Sequence, residues 1–173
     1  MMRAALTLLL LLLSVRLDAN AETIEGRWKL LAAEDIRPDR TVARYPWGKR
    51  PVGSIVVSSG FCYLQIMSSD VPAFAAGYGE AGPSPASDRS IGDQMKAALT
   101  STYIAYTGPC TVDEQKGSVT LKVEAAWRPD YVGTEQTRYF RIENGKLFFG
   151  PAPGSVKTTG EALTRRLTLE RVP

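Results

Sequence analysis

The sequence predicts a mainly β protein in which eight antiparallel strands form an up-and-down barrel, with one inserted helix at about 90–106. Short segments rich in β-branched and aromatic residues recur along the chain, and turn residues separate them. Several consecutive segments form hairpins, and Asn144-Gly145 is the strongest two-residue hairpin signal among them. A two-sheet sandwich remains an alternative. An eight-stranded barrel either fills its interior with side chains or holds one small ligand.

The strands follow from the apolar pattern and its turns. The first begins at Gly26, and an Arg- and Pro-rich loop follows it at 36–51. Ser59-Gly60 and Lys116-Gly117 are predicted to be tight turns. The eight predicted strands cover residues 26–34, 52–58, 61–67, 107–114, 119–125, 133–143, 146–150 and about 163–172. In the fifth strand the alternation directs Val119, Leu121, Val123 and Ala125 inward.

One amphipathic helix is predicted between the third and fourth strands. Apolar residues recur at helical spacing over 90–106, and a Gly-Pro pair at 108–109 ends the pattern. Tyr103 and Tyr106 would then share the helix face that covers the barrel. The preceding residues 69–90 are rich in Gly, Pro, Ala and Ser, and we expect them to form a long surface loop.

The N-terminal segment has the pattern of a secretory signal peptide. Arg3 precedes an apolar run from Ala4 to Val15, and Ala19-Asn20-Ala21 has the small-x-small form of a cleavage site. A membrane anchor is the alternative, but a span needs about twenty apolar residues. We therefore expect residues 1–21 to be removed after Ala21. Residues 22–173 would form a single secreted or periplasmic domain without a membrane span.

The composition excludes several kinds of chemistry. The chain has no histidine, which removes Ser-His-Asp and Cys-His catalysis and His-ligated zinc. Its two cysteines are too few for a four-Cys metal site. The net charge is +3 and the charges are scattered, so no basic stripe is available for nucleic acid. We expect no metal, cofactor or nucleic-acid partner, and the pattern does not predict an oligomeric state.

Several segments in order resemble a known family. They are GRWKLL at 26–31, YPWGKRPVG at 45–53, the strand end at 65–67, YIAYTG with TVDE after it at 103–114, and VGTEQTRYF at 132–140. Together they are similar to the bacterial and fungal lipocalin-like domain family over nearly the whole mature chain. The resemblance implies a small barrel with an internal cavity, and Trp28 at the position of a tryptophan that plugs one barrel end. It does not imply a particular activity, and Cys62 and Cys110 depart from the family pattern.

The strand at 134–143 carries polar residues on the face that points inward. Alternation places Gln136 and Arg138 on the same face as Phe140 and Ile142. A buried guanidinium needs partners, because an unpaired one costs several kcal/mol. Arg138 could be structural and close one barrel end, for example over Trp28. It could instead anchor an anionic or carbonyl-bearing ligand, since its planar fork suits carboxylates.

Other aromatic residues have two possible roles. Tyr103, Tyr106 and Trp127 could line a ligand pocket, although core packing is the commoner role for such residues. Glu135 lies on the face predicted to be solvated, which argues against a catalytic role for it.

Two functions are compatible with these residues. One is an exported barrel that binds a small, mainly apolar ligand, with Gln136 and Arg138 holding its polar or anionic end. The alternative is a metal-free isomerase or cyclase that uses the same cavity, with Arg138 stabilising negative charge. No inward carboxylate is evident to act as the base, which favours binding. A barrel with a filled interior and a structural role also remains open.

Cys62 and Cys110 are expected to form a disulfide. They lie on strands that a meandering barrel makes neighbours, both point inward by alternation, and an exported protein folds in an oxidising compartment. Two buried free thiols are the alternative.

Overall fold

A computed structural model describes residues 23–70, 100–158 and 161–173. These residues form β1 (Gly26–Ile36), β2 (Val42–Arg44), β3 (Val52–Ser58), β4 (Phe61–Met67), β5 (Tyr103–Asp113), β6 (Ser118–Lys122), β7 (Ala125–Ala126), a 3-10 helix (Pro129–Tyr131), β8 (Glu135–Glu143), β9 (Lys146–Gly150), β10 (Val156–Thr158) and β11 (Glu161–Val172).

Eight of these strands close into an antiparallel barrel. Each of β1, β3, β4, β5, β6, β8 and β9 pairs with the next barrel strand along the chain, and β11 pairs with both β9 and β1. The short strands β2, β7 and β10 add to β1, β5 and β11. The predicted up-and-down barrel is therefore confirmed, because the pairing of β11 with β1 closes the sheet.

The prediction of a helix through residue 106 is wrong at its C-terminal end. Residues 100–102 are helical, but Tyr103 already begins β5. Residues 103–109 pair with the whole of β4, so cross-strand hydrogen bonds replace the helical ones that the spacing suggested. The earlier part of the predicted helix, 90–99, and most of the predicted loop at 69–90 lie outside the described residues.

A β-bulge changes the inward face of β1. The register against β11 shifts between Leu30 and Ala32. Trp28 and Leu30 are buried before the shift, and Ala33 and Asp35 are buried after it. A bulge adds one residue to one strand, so the alternation of faces is reversed beyond it. As a result Asp35, rather than Glu34, points into the barrel.

The predicted fifth strand is interrupted. β6 ends at Lys122, Val123 is still buried, and the chain then turns so that β7 pairs with β5. The alternation predicted that Ala125 points inward, but Ala125 is exposed. The chain passes close to β5 at this point, and only glycine fits there, because a Cβ added at Gly108 would lie 2.0 Å from the carbonyl oxygen of Lys122.

Trp28 closes one end of the barrel. Its side chain is fully buried and its indole Nε1 donates to the carbonyl oxygen of Ile24 at 2.8 Å. The guanidinium of Arg171 lies 4.3 Å from the centre of the indole ring and donates to the carbonyl oxygen of Glu25. Arg138 is therefore not the residue that covers Trp28; the cation over this ring is Arg171, from the end of β11.

The disulfide between Cys62 and Cys110 is present. It joins β4 to β5, with the two Cα atoms 5.7 Å apart and a sequence separation of 48. Both cysteines are on the inward faces of their strands, as the alternation predicted. The bond closes the long connection between the two strands.

Candidate functional site

A cavity of about 300 Å³ lies in the barrel at the opposite end of β1 and β11 from Trp28. This volume is at the lower limit of the roughly 300–1,000 Å³ typical of small-molecule sites. Gln136, Arg138 and Arg165 are its long polar side chains. Much of the remaining wall is apolar or aromatic and includes Trp47, Leu64, Ile66, Ile104, Tyr106, Tyr131, Phe149 and Leu167.

The inward polar residues of β8 and the preceding Thr134 form a chain of hydrogen bonds. Arg138 Nη2 donates to Gln136 Oε1 at 3.0 Å, and Gln136 Nε2 donates to Thr134 Oγ1 at 2.9 Å. Thr134 Oγ1 in turn donates to the carbonyl oxygen of Tyr131 at 2.7 Å. Arg138 Nη1 also donates to the carbonyl oxygen of Thr137. These neutral acceptors satisfy hydrogen bonds but do not neutralise the guanidinium charge.

Tyr106 lies next to Arg138, on β5, which is separated from β8 by β6 alone. Its side chain is buried, and the Arg138 guanidinium carbon is 5.6 Å from the centre of its ring. Burial raises the pKa of the Tyr106 hydroxyl, and the nearby Arg138 charge and hydrogen bond offset only part of that rise. Tyr106 is therefore a neutral phenol at physiological pH and can donate a hydrogen bond.

A second charged group lies at the same end of the barrel. Asp35 is fully buried; its Oδ1 accepts from Arg165 Nε at 2.8 Å and its Oδ2 from Arg165 Nη2 at 2.8 Å. Arg44 Nε donates to the same Oδ2 at 2.7 Å. Burial alone would raise the pKa of Asp35, but the hydrogen bonds and charges of Arg165 and Arg44 together hold it below its ordinary value.

Arg165 is fixed in place by more than its carboxylate partner. Its guanidinium carbon lies 4.9 Å from the centre of the Trp47 ring, and Trp47 is itself buried. The bidentate bond and the stacked ring together hold the guanidinium at the cavity wall.

The structure brings together three of the five residues predicted to bind ligand. Gln136, Arg138 and Tyr106 line the cavity. Tyr103 does not: it is three residues from Tyr106 on one strand, and an odd spacing places the two on opposite faces. Tyr103 pairs with the exposed Met67 on the outer surface.

Trp127 is displaced from the cavity wall by the break after β6. It is half-buried and packs edge-on against Tyr131, with ring centres 4.8 Å apart. Its buried Nε1 has no hydrogen-bond partner among the described residues. Tyr131, which the sequence reasoning did not select, lines the cavity in its place. Glu135 is exposed.

The sequence analysis also did not select Arg165 or Asp35 as residues of the site. Arg165 was readable from the sequence, because it continues the spacing of the inward Leu163, Leu167 and Leu169. Asp35 was not, because simple alternation from Trp28 gives the wrong face after the bulge.

Within 23–70, 100–158 and 161–173, no three Cys, Asp or Glu side chains are grouped in a way that could hold a metal ion. Over the same ranges no helix has the length and apolar character needed to cross a bilayer.

The fold and the cavity define a small antiparallel barrel with an interior site. Comparison with family models matches residues 25–172 to the lipocalin-like domain. The chain therefore belongs to the lipocalin-like domain family. Comparisons with curated proteins and with solved structures found no match.

Proposed function

We propose that this barrel binds a small, mainly apolar molecule and holds the polar or anionic end of that molecule with Gln136 and Arg138. The observation that carries the proposal is the position of Arg138. Its guanidinium faces the cavity and, among the described residues, it has hydrogen bonds to neutral oxygens but no carboxylate partner. A half-buried charge in such a site favours an anionic ligand group.

The cavity walls support an apolar body for the ligand. Tyr106, Tyr131 and Phe149 present rings, and Ile66 and Leu64 present aliphatic groups. Sites of this kind obtain affinity from apolar burial and orientation from a few polar groups. The Tyr106 hydroxyl adds a neutral donor beside Arg138.

The enzymatic alternative has less support. A metal-free isomerase or cyclase needs an inward base that is free to accept a proton. Asp35 is inward, but both of its oxygens accept hydrogen bonds from arginine. A lowered pKa makes this carboxylate a weak base. Binding is thus the function we infer.

We also propose that the protein is exported. A disulfide between two barrel strands is typical of oxidising compartments, and the predicted signal peptide agrees with that setting.

Octanoate is a suitable probe for the binding test, because it has one anionic end and an apolar tail. Calorimetric titration should show binding to the unmodified protein. Arg138→Leu should weaken it by about tenfold or more, the loss expected for one charge-assisted hydrogen bond. Arg141→Leu is the matched control, since Arg141 lies on the exposed face of the same strand, paired with Glu143. Binding that is absent, or that both variants retain equally, would contradict the proposal.

A melting curve of each variant separates binding from folding. If Arg138 serves the ligand, Arg138→Leu should melt close to the unmodified protein in the absence of octanoate. A fall of several degrees instead would assign Arg138 a structural role.

A further inference from the structure

We propose that the cavity selects ligands whose polar end carries two negative charges, a phosphate monoester or a paired dicarboxylate, because Arg138 and Arg165 both face it. This inference rests on the proposed function and adds the charge of the ligand's head group.

The two guanidiniums lie at the same level of the barrel wall. In the β8–β9 ladder Tyr139 is opposite Gly150, so extending the register by one residue aligns Arg138 with position 151, just after β9. In the β11–β9 ladder Leu167 is opposite Phe149, so extending that register by two residues aligns Arg165 with position 151 as well. Two strand spacings separate their backbones, about 10 Å. Two long side chains that start at this separation on one concave wall can meet a single head group.

The described residues leave a positive charge at this end of the barrel unbalanced. The described lining of the cavity contains the two guanidiniums and no carboxylate. Asp35 neutralises only one of its two partners, Arg44 and Arg165, and Arg138 has neutral acceptors alone. Among the described residues, the three arginines and Asp35 together therefore carry a net charge of two positive units. A head group with two negative charges complements them, whereas a single negative charge leaves one guanidinium unmatched.

Arg165 has the capacity to bind while keeping its structural bond. Its Nε and Nη2 donate to Asp35, which leaves the hydrogens of Nη1 for a ligand. Asp35 thus acts as a positioning residue that sets the direction of the Arg165 fork.

Two alkyl probes of equal length distinguish one charge from two. Octyl sulfate carries one negative charge, and octyl phosphate carries nearly two at about pH 8, because the second pKa of a phosphate monoester is about 6. At about pH 8 we expect octyl phosphate to bind about tenfold more tightly than octyl sulfate, the effect of one more charge-assisted hydrogen bond. At about pH 5, where the phosphate has one charge, the ratio should approach one.

The charges of the protein groups at the site do not change between the two pH values of this comparison. The chain has no histidine, the residue type that ordinarily titrates between these pH values. Burial raises the pKa of Tyr106, and the arginines hold that of Asp35 below its ordinary value, so both keep their charge state.

Variants test the role of Arg165 directly. Arg165→Gln should reduce the preference for octyl phosphate at about pH 8 while octyl sulfate still binds, and Asp35 keeps its bond from Arg44. Arg166→Gln is the matched control, because Arg166 is the next residue of β11 and bonds to Glu34. Since Arg165→Gln could disturb folding, the pH comparison on the unmodified protein stands as an independent test.

The outcomes separate the two proposals. Equal binding of both probes at about pH 8 overturns the two-charge head group and leaves the binding function standing. If neither probe binds at any pH tested, both proposals are overturned. A comparison of octylmalonate with nonanoate repeats the test with carboxylates. If only octyl phosphate is preferred over its singly charged partner, the head group is a phosphate monoester. If the doubly charged probe is preferred in both pairs, the site selects the double charge and not the phosphate group.

Discussion

Asp35 and Arg165 are direct cross-strand partners on β1 and β11, and one guanidinium donates to both oxygens of the buried carboxylate. The pair joins the first strand of the barrel to the last, 130 residues away in sequence. It therefore supports the seam where the barrel closes.

Removing the carboxylate should destabilise the protein. Asp35→Asn leaves two guanidiniums without a counter-charge, and we expect a loss of about 2 kcal/mol in the free energy of unfolding. This is below the 3–5 kcal/mol of a fully buried pair, because Arg44 is 43% exposed. Urea denaturation at neutral pH measures the difference, and Asp39→Asn, an exposed neighbour, is the control. Equal midpoints for both variants would contradict a role at the seam.

The same carboxylate should make stability depend on acid. The folded-state pKa of Asp35 lies below its ordinary value of 3.8, so its contribution is present above that value and is lost as the pH falls through the folded-state pKa. Asp35→Asn should therefore show less loss of stability than the unmodified protein on acidification below about pH 4. Denaturation series at several acidic pH values measure both slopes; parallel slopes would refute the assignment.

Reduction of the disulfide should lower stability. The bond spans 48 residues, and the chain-entropy estimate for a loop of that length is about 4 kcal/mol. Cys62→Ala with Cys110→Ala should show a comparable loss in urea denaturation. Alkylation of the native protein without reductant should add no groups; two added groups would show free thiols.

The closed end should matter for folding rather than for ligand binding. Arg171→Leu removes the cation above Trp28 and the bond to the carbonyl oxygen of Glu25, and we expect a loss of about 1–2 kcal/mol in stability. Octanoate affinity should be unchanged at temperatures where the variant is folded. If Arg171→Leu weakened octanoate binding as much as Arg138→Leu does, the proposed position of the site, at the end opposite Trp28, would be contradicted.

Export makes a prediction about the mature N-terminus. Cleavage after Ala21 leaves Glu22 as the first residue. N-terminal sequencing of protein from the exported fraction should read from Glu22, and an intact hydrophobic segment there would end the export proposal.

The barrel was predictable because its strands carry local signals. Turn pairs such as Asn144-Gly145 and alternation such as that of Gln136, Arg138 and Phe140 depend only on neighbouring residues. The beginning of β5 at Tyr103 was not predictable, because it depends on pairing with β4, which is distant in sequence. Helical spacing and strand content conflict in that segment, and the tertiary contact decides between them.

The candidate site was predictable only on one wall. Gln136 and Arg138 lie on a regular strand, so alternation placed them correctly. Asp35 follows a bulge, and one extra residue reverses every later assignment in that strand. Trp47 and Tyr131 lie outside the barrel strands, where no period indicates which way a side chain points.

Trp28 and Arg171 close one end of the barrel, so that end offers no route for a ligand. In the proposed binding mode, a molecule held by Arg138 reaches the cavity from the opposite end, and its tail packs against the apolar walls there. Lengthening the tail should accordingly slow dissociation more than it speeds association, which makes residence time the quantity that the chain length of the ligand controls.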